Sequence, residues 1–172
     1  MLLELLSHQN LADMKYGLDP TFRFTVSRAI YKGMLKYLSD RYGCPYQVQP
    51  LPVKSFSAIM DGSLARLSWA PVNDPLEPTA SPEGYILYTR IDDGAFNEGT
   101  ILSALTEKDG RISTEVKITP GHLFSFRIVA FNQGGKSFPS EVLTVGVPSA
   151  SNGSVIIVNN FDRVSAPAWF DT

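Results

Sequence analysis

Metal and nucleophilic chemistry would have to come from very few side chains in this sequence. His8 and His122 are its only histidines, and they lie in different segments; Cys44 is its only cysteine. A zinc centre needs three protein ligands and an open position, and two separated histidines with one thiol do not supply that set. Cys44 has no CxxC partner, so neither a redox pair nor an internal disulfide is available to it. No residue pattern asks for a cofactor. The remaining chemical candidates are aromatic. Trp69, Tyr85 and Tyr88 would make a sugar-stacking platform if they shared a surface. Strand alternation instead turns Trp69 and Tyr85 inward and sends Tyr88 to the opposite face.

Around these residues the chain has 172 positions, enough for one ordinary domain with flanking pieces. Hydrophobic residues make up 44%, so a core can be buried. Fifteen basic and 17 acidic residues nearly balance, which argues against a nucleic-acid binder. No apolar run approaches the ~20 residues of a membrane span. Met1-Leu2-Leu3-Glu4-Leu5-Leu6 lacks a basic front and is interrupted by Glu4, so it does not read as a signal peptide.

Three segments follow from periodicity. In residues 22–42 the apolar positions Phe22, Val26, Ala29, Ile30, Met34, Tyr37, Leu38 and Tyr42 repeat at helical spacing. Asp19-Pro20 supplies a cap and a first-turn proline, and Gly43 with Pro45 a stop. The period then changes to two. Ala65-Arg66-Leu67-Ser68-Trp69, Val116-Lys117-Ile118 and Phe124-Ser125-Phe126-Arg127-Ile128 alternate apolar with polar. Turn signals at Asp61-Gly62, Asp93-Gly94, Asp109-Gly110, Pro120-Gly121 and Gly134-Gly135 separate such runs. Many short strands at this spacing predict an antiparallel sandwich. Trp69, Leu67, Tyr85, Leu87, Val116, Ile118, Phe126 and Ile128 should fill it. After the linker Ser149-Ala150-Ser151-Asn152-Gly153, the β-branched run Val155-Ile156-Ile157-Val158 reads as the first strand of a truncated following domain. The expected organisation is a helical remnant over residues 1–45, a sandwich over 46–148, and a linker with one strand over 149–172.

The middle segment resembles the fibronectin type III family over about 100 residues. Leu67-Ser68-Trp69 followed by Pro71 looks like the family's second strand, and Gly84-Tyr85-Ile86-Leu87-Tyr88 like its third. Residues 118–137, from Ile118-Thr119-Pro120-Gly121 through Phe126-Arg127-Ile128-Val129-Ala130-Phe131-Asn132 to Gly134-Gly135-Lys136-Ser137, follow its most distinctive pattern. The resemblance implies a mainly β, seven-stranded antiparallel sandwich with a helical segment before it. His122 fills a turn position that the family gives to threonine, so it reads as a surface turn residue. Phe124 stands where the family has a corner tyrosine. The lost hydroxyl would have contributed about 1 kcal/mol, and the turn before Phe124 should be looser without it. The proline-rich loop over residues 71–82 is open to two readings, a ligand-facing loop or a packing loop.

Residues 1–42 carry a second resemblance. Leu2-Leu3-Glu4-Leu5-Leu6-Ser7, Pro20-Thr21-Phe22 and Ala29-Ile30-Tyr31-Lys32-Gly33 are similar to the tail of zinc-dependent N-acetylmuramoyl-L-alanine amidases. Glu4 matches that family's catalytic carboxylate, which passes a proton from the zinc-bound water to the leaving amine. The family's zinc ligands lie upstream of this strand, so Glu4 would be a catalytic remnant here and the chain not itself an enzyme. The alternative for Glu4 is a carboxylate on a helix surface.

The order of segments resembles bacterial envelope proteins labelled xanthan lyase or golvesin-domain proteins. That implies an exported parent, periplasmic or at the cell surface. The leading expectation is a non-catalytic spacer or interaction module of a polysaccharide- or peptidoglycan-acting protein. Its partners would be neighbouring domains of a longer chain and a glycan or protein ligand, with no nucleic acid and no membrane span. The alternatives are an amidase fragment and a carbohydrate- or protein-binding adhesin domain.

Overall fold

The computed structural model describes residues 4–150, 153 and 155–158. These fall into two units, one of residues 4–45 and 155–158 that holds two helices, and one that begins at Tyr46 and holds two β-sheets.

In the helical unit, α1 spans Leu11–Leu18 and α2 spans Pro20–Tyr42. The Asn10 side chain caps α1 by accepting from the Ala12 amide. Asp19 closes α1 and caps α2, its Oδ1 accepting from the Thr21 amide at 2.8 Å. Pro20 occupies the first turn, where its missing N–H is not needed. Gly43 ends α2 at φ 67°, the left-handed conformation that favours glycine. The Tyr16 and Phe22 rings pack 5.6 Å apart across the joint. No residue of either helix is buried; along the expected stripe of α2, Phe22, Val26 and Ile30 are half-buried, while Met34, Tyr37, Leu38 and Tyr42 are exposed.

The second unit is an antiparallel sandwich of the fibronectin type III-like kind. Its strands are β1 (Lys54–Asp61), β2 (Leu64–Ala70), β3 (Gly84–Ile91), β4 (Thr100–Ile101), β5 (Thr106–Lys108), β6 (Arg111–Lys117), β7 (Leu123–Asn132), β8 (Gly135–Lys136) and β9 (Leu143–Gly146). One sheet runs β1-β2-β6-β5 and the other β4-β3-β7, with β8 and β9 both paired to β7. Nine strands are formed among the described residues where seven were expected, and β4, β5 and β8 are short pieces of two or three residues. The β5–β6 turn places Asp109 and Gly110 both at positive φ, 53° and 71°, which matches the twist of a two-residue hairpin.

Alternation decides what goes inside. Phe56 of β1 and Ala65, Leu67 and Trp69 of β2 face Tyr85 and Leu87 of β3 and Phe124, Phe126, Ile128 and Ala130 of β7. Ile118 is buried with them, and Val116 is half-buried against the cluster. Of the eight residues expected in the core seven are buried in it, and Val116 packs against its side. Trp69 is 0% exposed and meets Tyr85 edge-on at 5.1 Å. The indole Nε1 is buried without an acceptor at hydrogen-bonding geometry, so this contact is ring packing with only a weak polar component. Burial raises the Tyr85 phenol above its ordinary value.

A strap before β1 closes one end. Val48 and Pro50 are buried, and the backbone there lies so near the β7–β8 turn that a Cβ on Gly134 would come within 2.5 Å of the Gln47 carbonyl oxygen. Asn132, 6% exposed, locks the arrangement. Its Nδ2 donates to the carbonyls of Val48 (2.9 Å), Thr79 (3.0 Å) and Ser81 (3.2 Å), and its Oδ1 accepts from the Gly134 amide.

Residues 155–158 do not form the expected strand. They are irregular and 75–92% exposed, because a strand has no ladder to join among the described residues.

Trp69→Ala should lower the unfolding free energy of the sandwich by about 3–5 kcal/mol through lost burial and the cavity left behind. Denaturant titration followed by circular dichroism measures this; an unchanged midpoint would remove the indole from the centre of the core.

Candidate interaction surface

With the inner faces filled, the side chains that remain for recognition project from the outer faces. On the β4-β3-β7 sheet the outward positions of β3 are Ile86, Tyr88 and Arg90, and those of β7 are Ser125, Arg127, Val129 and Phe131. The register sets Tyr88 opposite Arg127 and Arg90 opposite Ser125. Lys136 of β8 pairs with Phe131, one strand further out.

The loop between β3 and β4 completes this face. The Asn97 amide donates to the Thr89 carbonyl at 2.9 Å, and Asn97 Oδ1 accepts from the Thr89 and Gly99 amides. Asn97 thus pins the loop along the free edge of β3 and sets Phe96 over the sheet. Gly99, at φ 92°, admits the chain so close that a Cβ there would meet Ile86 and the Tyr88 ring at 2.6 and 2.9 Å.

These elements build an alternation of cations and rings. The Arg90 guanidinium lies 5.3 Å from the Phe96 centroid and that of Arg127 4.5 Å from the same ring. Arg127 also lies 4.9 Å from the Tyr88 centroid. Lys136 Nζ lies 5.9 Å from the Tyr88 centroid and donates to the Tyr88 hydroxyl at 3.2 Å. Arg90 Nη2 donates to Ser125 Oγ at 3.2 Å, and Ser125 in turn bonds to Thr144 Oγ1. Each such cation–ring contact stabilises by about 0.5–1 kcal/mol at an exposed site and more where water is excluded. Among the described residues none of the three cations pairs with a carboxylate. Ion pairs are found elsewhere in the sandwich, as between Arg66 and Asp61 and Glu115 on the other sheet, and His122 bonds Asp92.

The residues marked in the sequence are placed differently. Glu4 is exposed and irregular, in a shallow hollow with Leu5, Leu6, Ser7 and His8. It forms neither the amidase-like strand nor a helix-surface position, since α1 begins only at Leu11. Cys44 is exposed. Among the described residues no group of three or more His, Cys, Asp or Glu could hold a metal ion. Trp69 and Tyr85 are core and Tyr88 is outside, so the three do not form one platform. The loop over residues 71–82 packs on its own sandwich: Glu77 is buried and accepts from the Tyr46 hydroxyl and from Thr79 Oγ1 at 2.8 and 2.6 Å, and Gln47 Nε2 donates to the Thr79 carbonyl.

The corner at Phe124 is not loose. Phe124 stacks on Phe126, and the turn is held from the next strand. Asp92 accepts from the Leu123 amide at 2.8 Å and bonds His122 Nδ1 at 2.7 Å, while its own amide donates to the Leu123 carbonyl. Its φ of 51° suits a short polar residue. The His122 contact and then the Leu123 amide hold the Asp92 carboxyl below its ordinary value. Phe96, Asn97, Arg127 and Lys136 went unmarked in the sequence, where only the outward phase of Tyr88 pointed toward this face.

No protein-family model and no curated protein matches the chain. Solved structures with a similar course include the fourth fibronectin type III domain of a human protein, 20% identical with a TM-score of 0.45 over 64% of this chain and 88% of that one. The third fibronectin III domain of human KIAA0343 protein is 18% identical with a TM-score of 0.44, covering 63% and 90%. The twitchin kinase region of C. elegans is 21% identical with a TM-score of 0.41 over 58% of this chain, which spans only 17% of that region.

Because its folded-state value is lowered, the Asp92 carboxylate contributes fully above the ordinary aspartate range, and the contribution is lost as pH falls through the lowered value. Asp92→Asn keeps a residue that tolerates positive φ and removes the charge. Its thermal melts should lie below those of the parent at neutral pH and converge with them in acid, and the Leu123 amide should exchange faster. Parallel melting curves across that range would show that the charge does not hold the corner.

Proposed function

We propose that the sandwich is a non-catalytic interaction module of a larger exported protein of the bacterial cell envelope, one that acts on polysaccharide or peptidoglycan. The observation that carries the module reading is the outer face of the β4-β3-β7 sheet. There, ordered cations and rings stand on a solid core, and the loops on either side are tied down rather than arranged around a cleft. The polar side chains that would otherwise invite a catalytic assignment are engaged in structure: Asn132 and Glu77 hold the strap and loop, and Asp92 with His122 holds a corner. The envelope setting rests on the amidase-like residues between Leu2 and Gly33 and on the order of segments. In that setting Glu4 is a remnant of chemistry completed by residues outside this sequence.

Incubating the purified chain with insoluble peptidoglycan and with a panel of envelope polysaccharides tests this reading. The chain should co-sediment with at least one of them and release neither new amines nor new reducing ends. Chelator-sensitive hydrolysis would overturn the non-catalytic half, and absence from every pellet would overturn the interaction half.

A further inference from the structure

We propose that the Arg90–Phe96–Arg127–Tyr88–Lys136 stack is a binding site for an acidic polysaccharide, gripping carboxylate or sulfate groups along an extended glycan. The proposal deepens the interaction-module reading and rests on it.

Charge is the first argument. The Phe96 ring carries Arg90 and Arg127, and the Tyr88 ring carries Arg127 and Lys136. Successive positive charges that share a ring are therefore about 11 Å apart at most, comparable to the screening length of about 8 Å at physiological salt, so they repel one another and raise the local potential. The chain as a whole carries a net charge of −2. A positive face on a slightly acidic protein, with no carboxylate paired to it among the described residues, complements a polyanion.

Geometry is the second. A guanidinium laid on a ring keeps its plane and loses little freedom when its remaining N–H groups meet a carboxylate or sulfate. Arg127 makes no hydrogen bond among the described residues, and its Nε is buried, so the rings alone orient it and its terminal nitrogens are left to a ligand. Arg90 spends Nη2 on Ser125 and its Nε is buried without a partner, which leaves Nη1. The cations are spread across three strands, with the loop supplying the Phe96 ring between two of them, which suits a chain lying over the sheet face and bearing its charges at intervals.

Ring occupancy decides against nucleic acid. Single-stranded nucleic acids bind through bases stacked on open aromatic faces, whereas each ring here already carries two cations. A peptide added as an extra strand would use a sheet edge, and the free edge of β3 beside this face is taken by Asn97.

The test is biolayer interferometry on the whole chain with heparin and polygalacturonate as sulfated and carboxylated probes. Neutral dextran, polyglutamate and a single-stranded DNA oligonucleotide are the comparison arms. Both acidic glycans should bind and dextran should not. Arg127→Gln should weaken binding at least tenfold, and Arg127→Lys should weaken it by less, since charge remains while the planar fork is lost. The salt dependence should flatten with each cation removed. Arg66→Gln, on the other sheet, should bind as the parent does, and circular dichroism melts should show every variant folded. Equal affinity for dextran, unchanged binding by a folded Arg127→Gln, or preference for DNA or polyglutamate would each overturn the proposal. Retention on a neutral envelope glycan with none on the acidic probes would overturn it while leaving the interaction-module reading intact.

Discussion

The indole of Trp69 sits between two sheets with no surface left to water, and the rest of the sandwich is organised by that burial. Removing an aromatic side chain of this size from water stabilises the fold by more than any other single group in the unit. It also outweighs the cost of leaving Nε1 without an acceptor, about 1–3 kcal/mol for a buried donor in a protein. Period-two alternation then leaves little choice. Once Trp69 points inward, Leu67 and Ala65 must follow it. The strands that cover them must present Tyr85 and Leu87 from one side, and Phe126 and Ile128 from the other. A core filled in this way leaves recognition to outer faces and loops.

The polar residues show where the loops stand in that division. Asn132 uses both amide protons and its carbonyl oxygen on backbone groups of three separate segments. Buried backbone groups left unpaired cost about 1–3 kcal/mol each, so Asn132 is held in place by what would be lost without it. Arg111 ties the β-bulge of β1 to β2, donating to the Ser55 carbonyl and to Ser68 Oγ, both at 2.8 Å. By contrast, the exposed Arg66 pairs contribute about 0–1 kcal/mol each and organise little. The ends of the sandwich are consequently pinned, and the long proline-rich loop is part of the scaffold.

What was legible in the sequence was whatever depends on near neighbours. Asp19, Pro20 and Gly43 mark both ends of α2 because capping is decided within a few residues. The inward set and the outward turn of Tyr88 follow from alternation alone. The rest needs contacts across the chain. Phe124 announced a missing hydroxyl, but its compensation comes from Asp92, more than thirty positions earlier, and becomes visible only when β3 and β7 are paired. The cation–ring stack likewise requires the register of Tyr88 with Arg127, a loop folded back by Asn97, and a hairpin that brings in Lys136. No local pattern records these. The run at residues 155–158 fails for the complementary reason: β-branched composition favours a strand, but a strand exists only against a partner.

Pairing each cation with a carboxylate would have been the ordinary way to order a charged sheet face, and it would have cancelled the field. Aromatic rings order the same cations without supplying an opposite charge. The quadrupole of Phe96 or Tyr88 attracts a guanidinium at short range and contributes no net charge beyond it. The face is therefore both rigid and positive, a combination that a salt-bridge network cannot provide. Keeping three like charges together has an electrostatic cost in the unbound protein, carried by the burial beneath them. That cost is relieved when an anionic partner arrives, so the same crowding that makes the free surface unfavourable strengthens the contact it is shaped to make.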